Sequence, residues 1–266
     1  MKTIREIFGT EKPIIGMVHL LPLIGTPYYD DNKYTPSIIE ERALEEVQKL
    51  NSAGFDAILF ANEGDRPYAS NVGPEVLSLY SRVVYKVSRM VKLPFGVGVL
   101  MDPLATLAIG KTLEANFVRM YLSGVFAGTF GFQVIEPYKI MEYRKKIHAM
   151  DLPIFCTVAP HAAVSLDSRP IAEIIDSLIF MLTPEVILIS GPRAGLPPDI
   201  AMVATLKERF PNQAIIISSG IDFSNAKEAL KVSDGIIVGT SIKKDGVLWN
   251  PIDFERAKKF VDIIRK

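Results

Sequence analysis

Eight short runs of β-branched and other apolar residues, most followed by a segment of helical periodicity, constrain this fold more than any other feature. They occupy residues 14–18, 57–60, 95–100, 117–122, 154–158, 186–189, 214–218 and 235–238. Weak polar/apolar alternation and high Val/Ile content suit strands covered on both faces, as in a parallel sheet. The intervening helices carry clear start and stop signals. Thr35 and Pro36 are placed as cap and first residue, Gly54 as terminator, and Ile39, Ala43, Val47 and Leu50 mark an inward face. Residues 75–90 repeat the pattern through Val76, Leu79, Val83 and Val87, and Pro103 and Pro170 stand at later helix starts. Eight strand–helix units predict an α/β chain closed into a (β/α)8 TIM barrel, a fold that takes ~250 residues. With no linker or compositional break, residues 1–266 are expected to form one domain.

In such a barrel the carboxyl ends of the strands carry function. The stretch from Ala214 to Gly246 contains two glycine turns in consecutive units, Ser219-Gly220-Ile221 and Gly239-Thr240-Ser241. Bare N–H groups at such corners, with the start of a helix capped by Asp222 or Ser224 beside them, suit a phosphate. The competing reading is a pair of tight turns. Lys243 and Lys244 follow the second turn and could add positive charge there or be solvated.

Polar residues at the other strand ends are candidates for acid–base chemistry: His19; Asn62, Glu63 and Asp65; Asp102; and His161. Arg193 and Ser219 are candidate ligand contacts. Arg119 lies inside the apolar run FVRMYL, where a charge demands a partner, either a carboxylate such as Asp102 or an anionic ligand. The histidines and acids could hold a divalent metal, although no diagnostic ligand spacing is present. His148 reads as surface, and the single Cys156 as a small buried side chain rather than a nucleophile. Strands 2 to 6 end without a lysine, which argues against Schiff-base chemistry.

Lysine plus arginine equals aspartate plus glutamate, 30 each, so no overall field attracts nucleic acid or membrane, and anion recognition must be local. No apolar run approaches bilayer length, and the start, MKTIREIFGTEKP, lacks a secretory core; a cytoplasmic location is expected. Hydrophobic residues at 48% leave room for a subunit interface, hence a homo-oligomer. Two connections are long. Residues 20–34 carry three tyrosines, and residues 123–135 interleave glycine with phenylalanine. Each could be a lid or substrate wall, and the second could pack against another subunit.

Several stretches together resemble the BtpA family, which includes the SgcQ-type proteins: KPIIGMVHLLPLIGTP, NEGDRPY, SSGIDFSNA, and DGIIVGTSIKKDG followed by PIDFERAKKF. The resemblance spans nearly the whole chain and implies a TIM barrel of the ribulose-phosphate-binding type. It also implies two alternative roles, since the family links to photosystem I biogenesis, to carbohydrate metabolism and to candidate nucleoside triphosphatases. The rim departs from the family pattern. Leu100-Met101-Asp102 stands for Arg-Asn-Asp, Ala61-Asn62 for Glu-Asn, and Pro160-His161 for Lys-His. The expectation is an enzyme acting on a small phosphorylated metabolite, sugar phosphate or nucleotide. The alternative is a non-catalytic binding or assembly factor.

Overall fold

The computed structural model describes residues 2–160, 163–191 and 195–265. Eight parallel strands close a barrel: β1 (Ile14–His19), β2 (Ala57–Ala61), β3 (Phe95–Gly98), β4 (Phe117–Met120), β7 (Ile154–Thr157), β9 (Val186–Ile189), β10 (Ala214–Ile217) and β11 (Ile236–Val238). Their circular order is β1-β11-β10-β9-β7-β4-β3-β2. Helices α2 (Pro36–Ala53), α3 (Pro74–Ser88), α4 (Pro103–Thr112), α5 (Pro137–Lys146), α6 (Ile171–Leu182), α7 (Ile200–Arg209), α8 (Ala226–Val232) and α9 (Phe254–Arg265) follow successive barrel strands. The first of them starts and stops as its sequence predicts. Thr35 Oγ1 accepts from the Ile38 N–H, Pro36 opens the helix, and Gly54 ends it in a left-handed conformation. Pro170 also stands at a helix start, as the N-cap of α6.

Side chains alternate between the barrel interior and the helical layer, and this parity positions the functional residues. The interior cluster holds Ile15 and Met17 of β1, Leu59 and Ala61 of β2, Phe117 of β4 and Phe155 of β7. Short helix α1 (Ile4–Phe8) plugs the bottom, its Phe8 ring edge-on to Phe117 and Phe155 at 5.4 and 5.9 Å. A Cβ on Gly96 would lie 2.3 Å from the Phe117 ring, so glycine there makes room for the phenylalanine opposite. One step further along each column the interior becomes polar: His19 follows Met17, Arg119 follows Phe117, and Ser218 follows Ile216.

The connection over residues 123–135 is not the irregular loop that its glycines suggest. It is a β-hairpin, β5 (Gly124–Gly128) with β6 (Gly131–Ile135), extended by β8 (Ala163–Ser165) into a three-stranded antiparallel sheet. Phe126 is buried beneath it. The outer face carries Val125 opposite Val134, with Phe132 and Val164 both opposite Ala127. Leu166 follows, donating its N–H to Val125 O. Phe132 is 76% exposed, and Val134, Val164 and Leu166 are exposed too. No helix among the described residues is long and apolar enough to cross a membrane.

Candidate functional site

A cavity of about 490 Å³ opens at the carboxyl end of the barrel. One side of it is made by the two glycine corners. β10 and β11 are paired only at Ile217 and Ile236 and then separate, so the corners 218–222 and 239–241 face the same space. Ser241 Oγ donates to Ile221 O at 2.8 Å and ties one corner to the other. Among the described residues, the N–H groups of Gly220, Ile221, Gly239, Thr240 and Ser241 have no protein acceptor. Glycine is required at both turns. Gly220 has φ +66°, and a Cβ on it would lie 2.0 Å from the Leu196 carbonyl carbon. A Cβ on Gly239 would meet His19 Cε1 at 2.7 Å. Ser219 lines the cavity, and its Oγ accepts from the Gly191 N–H at 2.7 Å, joining the corner to the loop after β9.

The cap of α8 differs from expectation. Asn225 is the N-cap residue and makes no side-chain cap bond. Asp222 Oδ1 instead accepts from the N–H and Oγ of Ser224, at 2.8 and 2.6 Å, and Asn225 Nδ2 donates to Gly220 O at 2.8 Å. These short-range bonds hold the corner's shape, which outweighs capping a short helix.

At the cavity floor, His19 from β1, Glu63 after β2 and Arg119 from β4 converge. His19 Nε2 lies 3.7 Å from Glu63 Oε1. His19 Nδ1 and Glu63 Oε2 are buried without hydrogen-bond partners among the described residues. Burial, with the Lys243 and Arg119 charges adding to it, holds the His19 imidazole well below its usual range, so it is neutral and the contact with Glu63 is not an ion pair. Burial raises the Glu63 carboxyl to about 7, against the opposing pull of Arg119. Arg119 makes no ion pair within 4.0 Å among the described residues, where its one side-chain hydrogen bond is Nε to Thr157 Oγ1 at 3.5 Å. The Asp102 partnership open to Arg119 on sequence grounds is absent.

The other polar candidates serve the scaffold. Asp102 is the N-cap of α4: its Oδ1 accepts from Ala105 N–H and its Oδ2 from Val72 N–H, both at 2.9 Å. Both carboxylate oxygens are therefore engaged away from the main cavity. Asn62 accepts from the Leu100 N–H at 2.8 Å and donates to Asp65 Oδ2 at 2.9 Å, and Asp65 Oδ1 accepts from the Leu23 N–H at 2.8 Å. These bonds pin the ends of β2 and β3 and the long loop after β1. Burial raises the Asp65 carboxyl to about 6. Among the described residues, no cluster of His, Cys, Asp and Glu has the arrangement of a metal site.

Lys243 neither floats in solvent nor faces the glycine corners. It is buried, with Nζ 2.9 and 2.8 Å from the two carboxylate oxygens of Glu46. Burial lowers its pKa, with Glu46 opposing. Lys244 is exposed. Cys156 is buried and its thiol is pushed up to about 12, which removes it as a nucleophile at neutral pH. His148 is exposed just past the end of α5. His161 and Arg193 lie outside the described residues.

Sequence analysis gave no role to Tyr68, Leu100, Met101 and Tyr121, which line this cavity; Phe130, within the 123–135 connection expected as a lid or substrate wall, lines it too. Period-two parity could have found Leu100 and Tyr121, each two residues beyond an inward position of its strand. The loop after β1 lines a smaller recess of about 120 Å³ beside His19, where the Arg66 guanidinium sits 3.7 Å from the Trp249 ring centroid and 4.6 Å from that of Tyr28.

The BtpA family model matches residues 10–266. The sgc region protein SgcQ of Escherichia coli (strain K12) is 32% identical over 98% of this chain and 97% of its own. The photosystem I biogenesis protein BtpA of Synechocystis (strain PCC 6803) is 28% identical over 97% of this chain and 89% of its own. Among solved structures, thiamine phosphate pyrophosphorylase from Pyrococcus furiosus superposes with a TM-score of 0.58 at 12% identity, covering 96% of each chain. That likeness is one of fold.

Proposed function

The chain belongs to the BtpA family, and from that premise and the geometry of its cavity we propose that it is a cytoplasmic enzyme acting on a small phosphorylated metabolite. The observation that carries the reading is the joining of two features in one cavity. Paired glycine corners present N–H groups without protein acceptors among the described residues, and the acid–base group Glu63 lines the same cavity. The phosphate is held by Gly220, Ile221, Gly239, Thr240 and Ser241 through main-chain and hydroxyl donors. Glu63, with its carboxyl near 7, gives and takes a proton at neutral pH, and His19, held neutral beside it, offers a hydrogen bond. Arg119, without a carboxylate partner among the described residues, balances negative charge on the reacting portion. The structural neighbour's name includes a phosphorylated compound, thiamine phosphate, which agrees with this reading. Thermal unfolding in the presence of a panel of sugar phosphates and nucleotides tests it. A ligand at 100 times its Kd stabilises by ~2.7 kcal/mol, and a panel without any shift refutes the proposal.

The outer face of the β5-β6-β8 sheet supports a homo-oligomer. Five exposed apolar side chains on one small sheet, with no charge among them, form a patch of the kind that monomers rarely leave open. Phe130, at the hairpin's turn, lines the cavity, so the same element serves as wall and interface. Light scattering is expected to give more than one chain per particle, and Phe132→Asp together with Val164→Asp to give one. A monomeric parent chain overturns this assignment.

A further inference from the structure

The end of the cavity away from the glycine corners has a chemistry of its own. In the circular strand order, β4 stands across the barrel from β11 and β3 across from β10. A molecule anchored at the corners therefore extends toward the residues that follow β2, β3 and β4. Those residues are Tyr68, Leu100, Met101, Tyr121 and Phe130. The rings of Tyr68 and Phe130 lie 5.2 Å apart, tilted by 49°, and both are partly exposed toward the opening. Burial raises both tyrosine hydroxyls, that of Tyr121 to about 12, so neither ionises near neutrality.

Apart from Asp222 at the anchoring corner, the charged groups lining the cavity are Arg119 and Glu63. A chain of free hydroxyls placed against the far wall would lose water and find few partners, an unfavourable exchange. A planar ring would instead gain contact with Leu100 and Met101, with the aromatic faces of Tyr68 and Phe130, and with the Arg119 guanidinium.

We infer that the ligand is a phosphate ester whose other end is an aromatic ring, and that Tyr68 and Phe130 select for that ring. The inference rests on the corners being the phosphate anchor. Calorimetric titration of the full chain with inorganic phosphate, ribose 5-phosphate and phenyl phosphate separates the two statements. Phenyl phosphate is expected to bind about tenfold tighter than either of the others. Phe130→Ala is expected to remove that preference while leaving inorganic phosphate affinity unchanged. Phe130→Leu, which keeps apolar bulk at the hairpin turn, is expected to retain only part of it. If ribose 5-phosphate binds as tightly as phenyl phosphate, or the preference survives Phe130→Ala, the ring assignment is wrong and the phosphate anchor stands. If none of the three binds, the anchor is wrong and the ring assignment falls with it.

Discussion

Replacing Glu63 by glutamine tests the electrostatics of the cavity through stability alone, with no knowledge of the substrate. Glutamine keeps the shape of the side chain and has no charge at any pH. In the folded chain the Glu63 carboxyl is raised from its ordinary 4.5 to about 7. The sign follows from which state holds the proton. Between pH 4.5 and 7 the folded chain keeps it while the unfolded chain has released it, so Glu63 makes folding progressively less favourable as pH rises through that window. The gap between 4.5 and about 7, at ~1.4 kcal/mol per pH unit, amounts to ~3 kcal/mol at full extent. Glu63→Gln is therefore expected to match the parent near pH 4 and to be more stable by ~3 kcal/mol at pH 8. Burial holds His19 neutral in both folded proteins, so its contribution cancels in the difference. Urea denaturation of both proteins in half-unit steps from pH 4 to 8.5, at constant salt and with m held equal, measures this directly. Parallel stability curves across that range would show that the carboxyl is solvated and ordinary, and the acid–base role assigned to it would lose its basis.

Three further substitutions separate structural from functional roles. Lys243→Met leaves Glu46 as a buried anion with only Arg42 and the Ile252 N–H for company among the described residues; chemical denaturation is expected to show a loss of ~3–5 kcal/mol, and an unchanged midpoint would return Lys243 to the phosphate site. Asp102→Ala removes the cap of α4 and the tie to Val72. It should lower stability by ~1–3 kcal/mol while phosphate-ester affinity in calorimetry stays the same; a selective loss of affinity with normal stability would contradict the capping role. Gly220→Ala forces a Cβ at φ +66° to within 2.0 Å of the Leu196–Pro197 backbone, so both stability, by ~1–3 kcal/mol, and phosphate affinity should fall. Retention of both would mean that the corner is looser than its geometry implies.

Much of the site was legible because barrels convert sequence parity into direction. His19 and Arg119 are inward-facing for the same reason that Met17 and Phe117 are: each is two residues further along its strand. The glycine corners were legible because the bare turns follow two successive apolar runs. Harder to read was the cluster Asn62, Glu63 and Asp65, three polar residues within four positions. The short 3₁₀ turn Glu63–Asp65 sends Glu63 into the cavity and Asp65 toward the loop after β1, where it accepts from Leu23. Nothing local distinguishes those two acids.

The hairpin was obscured differently. Its glycines read as loop, while the alternation of buried Phe126 with exposed Val125 has meaning only against the strand β8 contributed from residues 163–165.

The sequence by itself determined the number and order of the barrel strands, the closed barrel, the two ends of α2 and the position of the two glycine corners. These are set by periodicity, capping and steric freedom, which act over a few residues. Tertiary structure alone decided which charges are partnered. Lys243 meets Glu46 across 197 residues of chain, Asp102 is captured by Val72 as well as by its own helix, and Arg119 keeps no acid among the described residues. The worth of a charge depends on what surrounds it once water has been excluded, and those surroundings come from segments far apart in the chain.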